Sequence, residues 1–187
     1  MKQIFFFFIL FLFTSLFLTN CSNTKHVTDI FTLKAPEQFK AKFLTTKGEF
    51  EVTAERNLSP LAVDRFYQLI KSGYFTDIPI YRGVPNFVAQ FGTLDSIIDN
   101  YWSKQIIEDE PVKKSNDVGT IAFARAEKNT RGSQLFINLK NNSRLDTVTY
   151  GGVFGFPAFA WVSKGMEVVN KFCTEYIADI SSIFKAD

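Results

Sequence analysis

Hydrophobic and polar positions change period several times along this chain, and each change predicts an element. Phe39, Ala41 and Phe43 alternate with Lys40 and Lys42, the period of a half-buried strand. Lys47-Gly48 marks a tight turn. Phe50, Val52 and Ala54 then alternate with Glu49, Glu51 and Thr53, which makes the second arm of a hairpin. Ser59-Pro60 is a helix start, with Ser as N-cap and Pro at the first helical position. Leu61, Phe66, Leu69 and Ile70 share one helical face, and Gly73 closes the helix as a C-cap. Apolar segments follow at 78–92, 118–125, 134–139 and 152–162, separated by turn-rich stretches, and residues 164–169 open a last helix or strand. Many short strands with one or two helices predict an antiparallel barrel, which hides its edges by closing on itself.

The first residues follow none of these periods. Seven of the 22 Phe lie before residue 18, and Ile4 to Leu18 is apolar apart from Thr14 and Ser15. Preceded by Lys2, this span has the length of a secretory h-region and falls short of a membrane helix of about 20 residues. Residues 1–20 are therefore expected to be a signal peptide. Leu18-Thr19-Asn20-Cys21 resembles a bacterial lipobox, with Asn20 in place of the usual small residue, so Cys21 is the expected lipidation site. Residues 21–37 form a polar linker, 38–180 the folded domain and 181–187 a C-terminal tail. The expected location is the cell envelope, facing the periplasm or the exterior. In a Gram-negative cell, Ser22 after the Cys favours the outer membrane.

Charge and composition narrow the chemistry. A formal net charge of +2 with no basic run gives no electrostatic case for nucleic acid. There are two Cys, and if Cys21 carries lipid, Cys173 has no intramolecular partner. The single His is His26, in the linker. A domain without His holds no Ser-His-Asp triad, no Cys-His pair and no His-based zinc site. What remains are long polar side chains inside apolar runs: Arg82 and Gln90 in Tyr81–Gly92, and Gln134 in Gly132–Asn138. Buried groups of this kind require hydrogen-bonding partners, so their placement predicts a polar site on an apolar wall. In a strand over 134–138, Gln134, Phe136 and Asn138 share one face while Leu135 and Ile137 face a core. Likewise Ala122 and Ala124 lie opposite Ile121 and Phe123. Phe87 and Gln90 are three apart, so a bend or bulge near Pro85-Asn86 must bring them together.

The two segments, Tyr81-Arg82-Gly83-Val84-Pro85-Asn86-Phe87-Val88-Ala89-Gln90-Phe91-Gly92 and Asn129-Thr130-Arg131-Gly132-Ser133-Gln134-Leu135-Phe136-Ile137-Asn138, resemble the cyclophilin peptidyl-prolyl isomerases. The resemblance extends through Gly119–Ala124, Arg144-Leu145-Asp146, Val153-Phe154-Gly155 and Gly165–Val169 in family order. It implies a mainly β fold, a closed eight-stranded barrel capped by two helices. It also implies that Arg82, Phe87, Gln90, Ala124, Gln134, Phe136 and Leu145 line a proline site, with Phe123 nearby. Some positions depart from the family: Arg144 stands where eukaryotic members often have Trp, Gly83 replaces an aliphatic residue and Asn86 a Gly. The family's pocket His has no counterpart, Tyr150 or Gly151 falling nearest.

Rotation about an X-Pro bond breaks amide resonance against a barrier of about 18–20 kcal/mol. The twisted state localises a lone pair on the prolyl nitrogen, and a fixed donor aimed at it favours that state over the planar one. Arg82 is suited to this because a guanidinium stays charged and presents several donors. Phe87, Phe136 and Leu145 would hold the ring, and Gln90 would orient Arg82. The reaction needs no nucleophile, metal or cofactor. The expected partners are Pro-containing segments of exported proteins, and the expected state is a membrane-tethered monomer. The rival reading is a tethered module that binds such segments without catalysis.

Overall fold

The computed structural model describes residues 30–93 and 95–173. The leader, Cys21 and the tail lie outside the described residues, as does the side chain of Cys173. The order is β1 (Gln38–Thr45), β2 (Gly48–Glu55), α1 (Pro60–Lys71), β3 (Ile80–Val84), β4 (Val88–Phe91), α2 (Ser96–Ser103), β5 (Thr120–Phe123), β6 (Leu135–Asn138), β7 (Thr149–Tyr150), β8 (Val153–Phe154), β9 (Ala158–Lys164) and α3 (Met166–Val169). Seven strands form one antiparallel sheet in the order β1-β2-β9-β5-β6-β4-β3, and β7–β8 is a separate hairpin.

Phenylalanine fills the interior. Rings of Phe43 and Phe50 stack at 4.9 Å, Phe66 meets Phe159 edge-on at 5.4 Å, and Phe123 stacks on Phe159 at 5.3 Å. The sheet curls around this core until its edge strands β1 and β3 line one cleft of about 650 Å³. Across that seam Phe43, Phe75 and Phe91 touch, with centroids 5.7–6.3 Å apart. Among the described residues no ladder joins β1 to β3. The architecture is thus a curled sheet with three helices, where the sequence led to a closed eight-stranded barrel with two. Two local features set the places of the β7–β8 hairpin and of the extra helix. The β7–β8 turn at Gly151-Gly152 seats against the backbone of Ala126 and Glu127, where a Cβ on Gly151 would come within 2.2 Å of the Ala126 carbonyl. The extra helix, α2, arises in the long excursion after β4, where Asp95 accepts from the amides of Ile97 and Ile98 at 2.9 and 2.8 Å as an N-cap.

The ends of α1 differ from expectation at one end only. Ser72 is the C-cap and Gly73, at φ 74°, the left-handed residue after it. Tyr74 N–H donates to Leu69 O and Gly73 N–H to Ile70 O, the Schellman pattern. Ser59 occupies the N-cap, but its hydroxyl donates to Glu110 instead of capping. The Glu110 carboxylate itself accepts from Leu61 N and Ala62 N, at 2.8 and 3.1 Å. The core face of α1 is Ala62, Val63, Phe66 and Leu69, while Leu61 is turned outward at 38% exposure. The hairpin β1–β2 turns at Thr46-Lys47, with Gly48 already paired to Thr45.

Candidate active site

The site is written in the strand register. Arg82 pairs with Gln90 across β3–β4, Gln90 with Phe136 across β4–β6, and Phe136 with Ala122 across β6–β5. Directly opposed residues of an antiparallel pair share a face. One row across four strands therefore carries a guanidinium, an amide, a ring and a methyl. Arg82 Nη1 donates to Gln90 Oε1 at 3.2 Å. Val88, Ala122 and Phe136 are buried together beneath Phe87, Ala124, Leu145 and Phe156. Above them opens a cavity of about 390 Å³, lined by Arg82, Phe87, Gln90, Ala124, Phe136 and Leu145 among others.

Phe87 reaches this face through a turn, not a strand bend. Its amide donates to Val84 O at 3.0 Å, Pro85 fixes the second turn position, and Asn86 takes φ 58° at the third. That is the signature of a type II turn and explains why Asn, tolerant of the left-handed region, stands there. The Phe87 carbonyl then accepts from Leu139 N at 2.9 Å and from Asn142 Nδ2 at 2.8 Å. Behind it lies a buried amide network. Asn142 Nδ2 donates to Asn138 Oδ1 at 2.8 Å, and Asn138 Nδ2 to Asn116 Oδ1 at 3.0 Å. Asn116 Nδ2 in turn reaches Asp146 Oδ1 at 2.7 Å and Phe156 O at 2.8 Å. The network ties Phe87, Phe156 and the short helix carrying Leu145 into one frame.

Two residues named from the sequence lie elsewhere. Phe123 is on the opposite face of β5, buried against Phe159 in the core. Gln134 is exposed and accepts from the Tyr81 hydroxyl at 3.0 Å, while its backbone carbonyl accepts from Ala124 N at 2.9 Å. Burial pushes the Tyr81 phenol up to about 12, so it remains a donor.

The family model for "Cyclophilin type peptidyl-prolyl cis-trans isomerase/CLD" matches residues 40–180. The chain belongs to the cyclophilin-type peptidyl-prolyl cis-trans isomerases. It is 34% identical over 134 residues to peptidyl-prolyl cis-trans isomerase A of Dickeya dadantii, covering 68% of this chain and 67% of that one. A peptidyl-prolyl cis-trans isomerase of Acinetobacter baylyi is 29% identical over 129 residues, with 68% of each chain covered. Among solved structures, the fold is similar to that of a cyclophilin-type isomerase of Cryptosporidium parvum studied in the presence of the dipeptide Ala-Pro. The TM-score is 0.60 at 23% identity, over 73% of this chain and 85% of that one.

Around this cyclophilin's cavity stand side chains that the sequence reading did not assign to it: Val88, Arg125, Val148 and Phe156, with Tyr150 and Arg144 noted only as departures. The Arg144 guanidinium lies 4.9 Å from the centroid of Phe87, and Arg125 lies 4.1 Å from that of Phe156. Arg125 comes directly after Ala124, a position that only the fold turns toward the cavity. The Asn network left a trace in sequence, the cluster Asn138, Asn141 and Asn142.

Proposed function

We propose that this cyclophilin isomerises X-Pro bonds of exported or envelope polypeptides and so assists their folding, with Arg82 as the group that acts on the prolyl nitrogen. The observation that carries the proposal is the row Arg82–Gln90–Phe136–Ala122 beside a cavity of a size to take a proline ring. Phe87, Phe136 and Leu145 hold the ring by apolar contact. Ala122 and Ala124 leave room for the backbone of the substrate. Gln90 accepts one Arg82 donor and thereby fixes the plane of the fork, leaving the others to face the bound peptide. When the amide twists, its nitrogen gains a lone pair that the guanidinium can satisfy, and in the planar state it has none. That difference in binding lowers the barrier without any covalent step.

The lipid on Cys21, the linker at 21–37 and the domain at 38–180 belong to the same reading, supported by the apolar leader and the lipobox resemblance. A closed eight-stranded barrel and a monomeric state complete it. The curl that brings the edge strands β1 and β3 to one cleft, with Phe43 and Phe91 in contact across it, supports closure.

Two measurements test the proposal. Exchange NMR on an Ala-Pro peptide should show acceleration by the wild type. A folded protein that binds the peptide without accelerating it would be the tethered binding module instead. Mass analysis of the mature protein should find an acylated N-terminal Cys21, and an N-terminus elsewhere would remove the lipid anchor.

A further inference from the structure

Three guanidinium groups surround the cavity, and among the described residues none has a carboxylate within ion-pair reach. Arg82 spends one donor on Gln90. Arg144 is exposed at the rim, above Phe87. Arg125 is 7% exposed and gives Nη2 to Val153 O at 3.1 Å, while its Nε and Nη1 are buried with no acceptor. Among the described residues no Asp or Glu lines the cavity. The carboxylate that acts on Arg125 through space is Asp109, which already ion-pairs with Arg131 at 3.5 Å and accepts from Asn129 N at 2.7 Å. Burial pushes Arg125 below its ordinary pKa, with the Arg131 charge adding to the effect, as expected for a cation short of compensation.

A desolvated cation without a counter-ion is costly, and ring stacking offsets only part of that cost. The bond to Val153 O ties the β7–β8 hairpin to the end of β5, a structural task for one donor that leaves the charge uncancelled. The field of Arg125 crosses an apolar wall of Phe136 and Phe156, where it is screened less than in water. Arg144 adds a second charge at the mouth.

We infer, on the reading that this cavity takes proline, that the site selects segments with Asp or Glu next to the proline, the substrate carboxylate partnering Arg144 and Arg125. The inference adds a substrate class to the isomerase reading and uses no part of the rotation chemistry.

The test uses the full chain solubilised in a non-ionic detergent. Ala-Glu-Pro-Phe, Ala-Gln-Pro-Phe and Ala-Lys-Pro-Phe form one series, and a second carries the same three residues after the proline. Exchange NMR gives kcat/KM and amide titration gives Kd. A solvated contact at Arg144 and the less screened field of the buried Arg125 set the expected Glu-to-Lys ratio at about tenfold in at least one series, shrinking at high salt. Arg144→Ala should reduce the ratio and Arg144→Glu reverse it. Ratios within about twofold in both series overturn the inference, since screened surface charge alone supplies that much. If no peptide is accelerated, the isomerase reading fails separately, and the same ratios are read from Kd. Equal Kd values across both series then overturn the charge preference.

Discussion

Two sets of arginines in this protein are treated in opposite ways. Arg65 on α1 and Arg131 beside it are each 2% exposed and direct both terminal nitrogens to acceptors, with only Nε left without a hydrogen bond. Arg65 donates to the carbonyls of Trp102, Gly132 and Gln105, and burial together with the Arg131 charge lowers it to about 10. Arg131 donates to Glu110 at 3.1 Å and to the Glu108 carbonyl, and its Nε stands 3.5 Å from Asp109. Together they clamp the excursion between β4 and β6 onto the helix. Around the cavity, Arg82, Arg125 and Arg144 lean on the rings of Phe87 and Phe156 and have hardly any acceptors. The terminal nitrogens of the first set are spent on the frame, and most of those of the second face the cavity or a ring.

The comparison breaks most visibly if the first set is not structural. Glu110→Ala should cost about 3–5 kcal/mol, because it leaves Arg131 as a buried charge without its main partner. It also uncaps α1, whose first amides bond to this carboxylate. Urea unfolding followed by circular dichroism would measure the loss. A change below about 1 kcal/mol, the range of exposed pairs, would show the clamp to be ornamental.

That clamp was hidden from sequence for a physical reason. Ser59-Pro60 announces a helix start locally, but the carboxylate that caps it comes from 51 residues further along the chain. Such a contact has no local period or spacing. The hairpin β1–β2 and the buried stripe of strands β5 and β6 were legible because alternation is local. The cavity was partly legible for a related reason. Arg82, Gln90 and Phe136 lie in two short segments whose register, once paired, puts them in one row. Phe87 required a turn that period counting does not contain, although Pro85-Asn86 is the composition such a turn demands. Arg125 is set by a loop, and α2 by an Asp95 cap inside one of the turn-rich stretches. Spacing groups Leu61 with Phe66 and Leu69, but the helix buries the neighbouring stripe.

The second set is tested at Arg82, the member proposed to act on the prolyl nitrogen. Arg82→Ala should leave the fold intact and lower kcat/KM by roughly 10²–10³-fold, the usual loss for one preorganised donor. Arg82→Lys should lose much of the same rate, because an ammonium cannot keep the planar fork that Gln90 orients. Exchange NMR on an Ala-Pro peptide reads both. Equal acceleration by wild type and Arg82→Ala would move the chemistry away from this residue.

Between frame and cavity lies the amide network, and Asn142→Ala probes it. The substitution removes one of the two donors to Phe87 O, which keeps the Leu139 amide, and leaves the buried Asn138 Oδ1 unpaired, at a cost of about 1–3 kcal/mol. Because Phe87 is pinned through its carbonyl, peptide Kd should rise along with the loss of stability. Destabilisation with unchanged Kd would assign the network to the frame alone.

The smallest expected effect sharpens the comparison most. Arg144 is exposed, and among the described residues its guanidinium meets the Phe87 ring and no carboxylate. A donor kept for a ligand contributes little to folding. Exposed cation–ring contacts are worth about 0.5–1 kcal/mol, and part of that returns as side-chain freedom when the residue is cut back. Arg144→Ala should therefore shift unfolding by no more than about 0.5 kcal/mol, the range of surface substitutions away from packed features. Chemical denaturation of both proteins under one set of conditions, with unchanged m-value, makes the comparison direct. A loss beyond about 1.5 kcal/mol, more than an exposed ring contact supplies, would mean that Arg144 belongs with Arg65 and Arg131 as scaffold.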